Sequence, residues 1–169
     1  MANTYVKIAS VAVGAGGAAS IDFSSIPATY TDLVVKVSAR DSSGSLQDSV
    51  VKFNGSSTGY SYKVLYGTGS AAGSNGNASA TVGIAGNIPS SSQTASTFSN
   101  AEIYIPNYTS ANNKSMSVDA VGETNATAVF AYLVANLWSN TAAINQITLT
   151  TVNSFVQYST AVLYGIKSS

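Results

Sequence analysis

The chain of 169 residues contains no histidine and no cysteine, and it has few charged residues: seven Lys or Arg and seven Asp or Glu. Without histidine and cysteine, the Ser-His-Asp and Cys-His arrangements of hydrolytic enzymes are impossible. Disulfides and thiolate-bound metals are excluded as well. These absences remove most side chains that carry out chemistry near neutral pH, and they favour a structural or binding role.

The formal net charge is zero, which excludes a nucleic-acid binder that works through clustered Lys and Arg. The longest apolar-rich run, residues 126–138, is far shorter than the ~20 residues of a membrane-spanning helix, so we expect no membrane insertion. The first seven residues lack the basic and apolar regions of a secretory signal. We therefore expect synthesis in the cytoplasm of the producing cell.

The low charge also bears on association. Hydroxyl and amide side chains must keep the surface soluble, because Ser, Thr and Asn are abundant while charged residues make up 8% of the chain. A net charge near zero removes the repulsion that keeps copies of a protein apart. The composition therefore predicts a protein that assembles with copies of itself or with neighbours.

Apolar residues recur at every second position in most segments. Leu33, Val35 and Val37 alternate with Lys36 and Ser38, which gives that segment one apolar and one polar face. The pattern predicts strands over residues 5–13, 19–23, 32–40, 49–53, 60–66, 78–84, 97–105, 114–121, 126–137, 144–150 and 159–166. The composition of residues 126–138 also allows a helix.

Many short strands separated by turn residues are typical of an all-β protein. We predict a single domain over residues 1–169, an antiparallel two-sheet β-sandwich of the jelly-roll kind. Two polar stretches, residues 67–77 and 89–93, are predicted loops. Residues 67–77 hold too little apolar surface to be buried, so this segment is either mobile or ordered against a neighbouring subunit.

Paired carboxylates are the main route to catalysis left open. Asp119 and Glu123 share a face of one predicted strand but lie about 13 Å apart at ~3.3 Å per residue, too far for a glycosidase pair. Acids on different strands could still meet. Asp41 and Asp48 could bind a cation with backbone carbonyls, although an Asp that starts a turn explains Asp41 equally simply. We expect no enzyme activity, no cofactor and no metal.

The aromatic residues provide the candidate contact sites. Tyr60, Tyr62 and Tyr66 share one face of one predicted strand. This face is interpreted as part of the core, as a contact with a second subunit or as a platform for a sugar. Trp138 ends an apolar segment beside a turn and is interpreted as a core or interface anchor. With Tyr108, these residues form the predicted subunit or ligand contact set.

Four stretches resemble a known family: residues 21–33, 97–108, 137–144 and 155–166. They are similar to small virion structural proteins from tailed phages of marine bacteria, especially cyanophages. The resemblance covers most of the chain but includes no catalytic or binding motif. It implies a component of the virion exterior, namely a capsid decoration protein, a fibre or an appendage subunit.

Together, these observations predict a non-enzymatic virion protein that decorates or cements the capsid or belongs to a head appendage. Its expected partners are other virion proteins, with self-association as a homo-oligomer in which a trimer is favoured. The alternative is a tail-fibre receptor-binding module that binds a carbohydrate on the host surface. A depolymerase of surface glycans is the third hypothesis.

Overall fold

The computed structural model describes residues 4–125 and 130–167. These residues form twelve strands and no helix. The strands are β1 (Tyr5–Ala12), β2 (Ala18–Phe23), β3 (Asp32–Ala39), β4 (Gln47–Phe53), β5 (Tyr60–Gly67), β6 (Ala72–Ala80), β7 (Gly83–Ile88), β8 (Ser99–Ile105), β9 (Lys114–Val121), β10 (Ala131–Trp138), β11 (Ile147–Phe155) and β12 (Thr160–Ile166).

The strands build an antiparallel sheet of order β1-β12-β3-β8-β9-β10-β5-β6 and a second of order β2-β11-β4-β7. Four pairs are nested in the sequence: β4 with β7, β3 with β8, β2 with β11 and β1 with β12. Successive pairs alternate between the sheets, as when one long hairpin is wrapped around a core. This is jelly-roll topology, and the predicted antiparallel two-sheet sandwich is confirmed.

Two inserted strand pairs enlarge one of the sheets. The chain adds β5 and β6 between β4 and β7, and β9 and β10 between β8 and β11. All four lie side by side beyond β8 in the larger sheet. We call β9, β10, β5 and β6 the extension, and β1, β12, β3 and β8 the jelly-roll half of that sheet.

The core lies between the two sheets. Leu33, Val35, Ile103 and Leu163 point inward from the jelly-roll half, Leu149 is on the smaller sheet, and each is at most 1% exposed. Burying one such side chain stabilises the fold by roughly 1.5–3 kcal/mol. The predicted alternation therefore corresponds to a real inner and outer face.

Strand β7 joins the extension to the core. The Asn136 side chain on β10 accepts a hydrogen bond from the Ile84 N–H at 2.8 Å and donates one to the Ile84 carbonyl at 3.1 Å. A Cβ on Gly83 would lie 2.4 Å from Met116 Cε, and one on Gly86 would lie 2.5 Å from Ala120 Cβ. Glycine thus lets the β7 backbone lie close against β9 and β10.

One predicted loop and two predicted strands differ from the structure. The predicted loop over residues 67–77 instead ends β5 and contains much of β6. The predicted strand over residues 78–84 is divided by a bend at Thr81 and Val82, because β6 and β7 belong to different sheets. Strand β11 begins at Ile147 rather than Ile144. Of the ambiguous segment, residues 126–129 lie outside the described residues, and β10 is a strand.

Candidate interaction surfaces

Strand β10 is apolar on its outer face as well as on much of its inner face. Ala131, Leu133, Ala135 and Leu137 point outward and are all exposed. The intervening residues point inward, toward β7 and the core. A strand that is apolar on both faces is typical of a sheet covered on both sides, yet within the described residues the outer side of β10 is uncovered.

Neighbouring strands widen this apolar surface. Leu65 on β5 lies opposite Leu133, and Val121 on β9 lies opposite Ala131. Leu65 is 60% exposed, Leu133 57% and Val121 47%. An open groove of about 500 Å³ runs over this region. We call Leu65, Val121, Ala131, Leu133, Ala135 and Leu137 the apolar outer face.

The outer face of the larger sheet changes from apolar to charged at β9. In the row of directly paired residues that contains Leu65 and Leu133, the next positions are Asp119, Glu102 and Lys36. Lys36 forms an exposed ion pair with Glu102, which raises the pKa of Lys36. The charged side chains of this row therefore lie on β3, β8 and β9, beside the apolar part.

Glu102 and Asp119 are two acids from different strands that the fold brings together. Directly opposed residues have Cβ atoms about 4.5–5.5 Å apart, a spacing compatible with the paired carboxyls of glycosidases. However, they line a depression on the exposed sheet surface, whereas ligand sites usually enclose most of the ligand. Glu123, the other predicted partner of Asp119, lies beyond the end of β9.

Three of the five predicted contact residues lie in the core. Tyr60, Tyr108 and Trp138 are 1%, 0% and 2% exposed, so they have no surface to offer to a subunit or ligand. The Tyr60 ring stacks on Trp138 with centroids 6.1 Å apart, and Phe53 meets Trp138 edge-on at 5.6 Å. For these three residues the contact prediction is replaced by a packing role.

Hydroxyl groups fix two of these rings in place. The Tyr60 hydroxyl accepts a hydrogen bond from the Phe53 N–H at 2.7 Å. The Tyr108 hydroxyl donates to the Pro27 carbonyl and accepts from the Tyr30 N–H at 3.4 Å. Burial raises the pKa of both phenols, which keeps them neutral and able to hold loop and strand backbone.

The other two predicted contacts, Tyr62 and Tyr66, are partly buried. Tyr66 forms an aromatic cluster with Phe130 and Tyr132, with centroid distances of 5.6 to 6.1 Å. Tyr62, Tyr66 and Tyr132 pack against the core from the inner side of the extension. The predicted aromatic platform is therefore an inner, half-covered surface.

An acidic residue of the smaller sheet lies beside this cluster. Asp48 on β4 accepts a hydrogen bond from Asn87 Nδ2 at 2.9 Å, and its carboxylate interacts electrostatically with the Tyr132 hydroxyl. Burial, followed by the Asp48 carboxylate, raises the pKa of Tyr132 far above its ordinary value of 10.0. Tyr132 therefore stays neutral at neutral pH, and its hydroxyl lies near Asp48 of the smaller sheet.

Asp41 and Asp48, the two acids considered for a cation site, form hydrogen bonds with different residues. The Asp41 carboxylate is fully buried and accepts from the Ser43 N–H and the Thr151 hydroxyl. The first contact is that of an Asp starting a turn. Among residues 4–125 and 130–167, no group of three acids, histidines or cysteines is placed to hold a metal ion.

Two basic residues, Arg40 and Lys114, are buried and donate hydrogen bonds to backbone carbonyls. The Arg40 guanidinium donates to the carbonyls of Thr94, Thr97 and Gln93 at 2.7, 3.0 and 2.9 Å. Lys114 is 1% exposed and donates from Nζ to the Ser110 carbonyl at 2.7 Å. Burial lowers the pKa of both cations. The surface is therefore even poorer in charge than the composition suggests.

Comparisons with protein families, with curated proteins and with solved structures find no match to this chain. Across the part of the chain that the structure covers, no helix has the length and apolar content needed to cross a membrane. The functional interpretation therefore depends on the sequence pattern and the surfaces described above.

Proposed function

We propose that the chain is a non-enzymatic structural protein of the phage virion exterior, a subunit that decorates or cements the capsid or belongs to a head appendage. In this role the apolar outer face contacts another virion protein. The proposal unites the resemblance of the sequence to virion proteins with the surface chemistry of the extension.

The observation that carries the proposal is the uncovered apolar side of β10. Leu65 on β5 and Leu133 on β10 are directly paired on neighbouring strands, and both are more than half exposed. Contiguous exposed apolar surface with a polar surround marks interaction sites on soluble proteins. Removing such a surface from water stabilises a complex by roughly 25 cal/mol per Å² before the costs of association.

The neighbouring charges suit such a contact. Lys36, Glu102 and Asp119 border the apolar outer face on one side, like the polar rim of many interfaces. Charged residues at a rim chiefly set orientation and association rate rather than affinity. We therefore expect binding through the leucines and orientation through the three charged residues.

Binding of purified protein to capsids that lack it tests the proposal. Leu133→Glu places a charge at the centre of the apolar outer face, and we expect it to weaken capsid binding by at least about a hundredfold, as burying an unpaired charge is costly. Val152→Glu is the matched control, since Val152 is 64% exposed on β11, outside the extension. Equal binding of both variants, or absence of the chain from purified particles, would contradict the proposal.

A receptor-binding tail-fibre module is the second candidate, and the aromatic cluster beside Asp48 favours it. Sugars bind to partly exposed aromatic rings combined with polar side chains, because the ring covers the apolar sugar face. A glycan array with the wild type and Tyr66→Ala measures this directly. Specific binding lost in Tyr66→Ala would favour the fibre module, and no binding to any glycan would reject it.

A further inference from the structure

The two sheets have four edge strands, and three of them are protected against pairing with another chain. Strand β1 carries Lys7 and a bulge between Lys7 and Ala9. Strand β2 has only six residues and includes Asp22, and all six residues of β7 are buried. Charges, bulges, short length and coverage are the usual ways in which proteins block sheet edges.

Strand β6 has none of these protections along most of its length. It spans nine residues without a charge or a proline, and all but Gly73 and Ala80 are classed as exposed. Its register with β5 is regular from Ala72 to Asn77, and the irregularity lies beyond that point. Among the described residues, β6 pairs only with β5, so its other side offers backbone groups to a partner.

The hydrogen-bond pattern identifies these groups. The Thr68 N–H donates to the Ala71 carbonyl at 2.9 Å in the connecting turn, which makes this a hydrogen-bonded pair. Because such pairs alternate along an antiparallel ladder, Gly73 and Asn75 bond to β5. The backbone N–H and C=O groups of Ala72, Ser74 and Gly76 therefore point away from the sheet.

We propose that β6 pairs antiparallel with β6 of a second copy of the chain, about a two-fold axis at Ser74. The three outward-pointing residues are symmetric about Ser74. In this register Ser74 pairs with Ser74 of the second copy, and Ala72 pairs with Gly76 in both directions. All six outward backbone groups become hydrogen-bonded, and the two large sheets become one.

The side chains along β6 permit this approach. A Cβ on Gly73 would lie 2.5 Å from the Tyr66 ring, and one on Gly76 would lie 2.8 Å from Lys63 Cδ. Side chains of β5 therefore cover the glycines on the faces of the sheet and leave the edge itself open. Asn75 falls opposite Gly73 of the second copy, where no side chain opposes it, and no charge on β6 repels the partner.

Sedimentation equilibrium of the wild type and Ser74→Pro tests the pairing. The wild type is expected as a dimer of the 17.2 kDa chain. Proline removes an N–H that β5 does not use, and edge strands tolerate it there. We expect the dimer dissociation constant of Ser74→Pro to rise by at least about a hundredfold. The variant should keep its β-type circular dichroism, and at dilutions where both proteins are monomeric it should melt at the same temperature as the wild type. Asn75→Pro, which removes a bond to β5, is expected to lower the melting temperature.

Cross-linking gives a second, independent readout, because the chain contains no cysteine. In the proposed pair the Cα atoms of the two Ser74→Cys residues lie about 5.5 Å apart. This Cα distance is within the range of a disulfide. Under oxidation Ser74→Cys should form a covalent dimer much faster than Ser10→Cys, an exposed site on the opposite edge strand β1. A monomeric wild type, an oligomer unaffected by Ser74→Pro, or equal cross-linking of the two cysteine variants would overturn the pairing.

This pairing is two-fold and therefore predicts a dimer, whereas the sequence favours a trimer. It concerns self-association alone and holds whether or not the chain belongs to a virion. Loss of capsid binding in Leu133→Glu with an intact dimer would separate the two interfaces.

Discussion

The jelly-roll half and the extension of the large sheet are built from similar strands but use their faces differently. In the jelly-roll half, Leu33, Val35 and Leu163 pack fully against the smaller sheet, and the outer side carries the Lys36–Glu102 ion pair. In the extension, β7 covers part of the inner side, while leucines occupy the outer side. Both halves bury side chains on the inner side, and the extension in addition presents an apolar surface on the outside.

Besides its buried inner side chains, the extension makes a few specific contacts with the smaller sheet. Asn136 hydrogen-bonds to the Ile84 backbone, the Tyr132 hydroxyl interacts with Asp48, and Trp138 packs against Phe53. Each contact joins the extension to the smaller sheet. Polar contacts of this kind position an element more than they stabilise it, because their net contribution is only about 1 kcal/mol each.

The same truncation in the two halves should have very different effects. Leu163→Ala creates a cavity in the core and is expected to lower the free energy of unfolding by about 2–5 kcal/mol. Leu133→Ala removes an exposed side chain, and we expect a change within about 0.5 kcal/mol. Urea unfolding of dilute protein measures both, and similar losses would show that the outer face of β10 is covered within the chain.

Removing the link between β10 and β7 should have the next largest effect. Asn136→Leu leaves the Ile84 N–H and carbonyl buried without partners, and we expect a loss of about 2–3 kcal/mol. Asn100→Leu, at an exposed position on β8, is the control and should change stability little. Thermal melts of the two variants compare them, and equal melting temperatures would mean that β10 is joined to β7 by packing alone.

Among the variants expected to lose stability, the smallest loss is expected at Tyr132. Tyr132→Phe removes the hydroxyl that interacts with Asp48 and should cost about 1 kcal/mol at neutral pH. Since burial and Asp48 raise the pKa of Tyr132 above 10.0, the folded protein keeps a proton that the unfolded chain loses. The stability difference between wild type and variant is therefore complete below pH 10 and shrinks above it. Unfolding of both proteins across this range measures it, and a difference that grows above pH 10 would contradict the assignment.

Much of the jelly roll is predictable from alternation, because strands such as β3 and β8 have one largely apolar and one more polar face. The alternation does not predict residues 72–77 of β6, because Gly, Ser, Asn and Ala have low strand propensity. Strand β6 forms because β5 supplies a hydrogen-bonding ladder, and because Tyr66 and Lys63 lie over its glycines.

The surfaces were less predictable than the fold. Periodicity shows that Tyr60, Tyr62 and Tyr66 share a face, but it does not show whether that face is inside or outside. The meetings of Glu102 with Asp119 and of Asn136 with Ile84 depend on the register and packing of strands distant in sequence. One sequence feature indicates the exposed leucines of β10. The apolar run of residues 126–138 is too continuous for a strand with only one buried face.

Hydroxyl-radical footprinting of the dilute protein and of the assembled particle tests most directly whether the extension is the contact surface. We expect Leu65 and Leu133 to be protected in the particle, while Val152 and Tyr158, which are 64% and 72% exposed outside the extension, stay reactive. Unchanged reactivity at Leu65 and Leu133, together with protection of Val152 and Tyr158, would contradict this assignment.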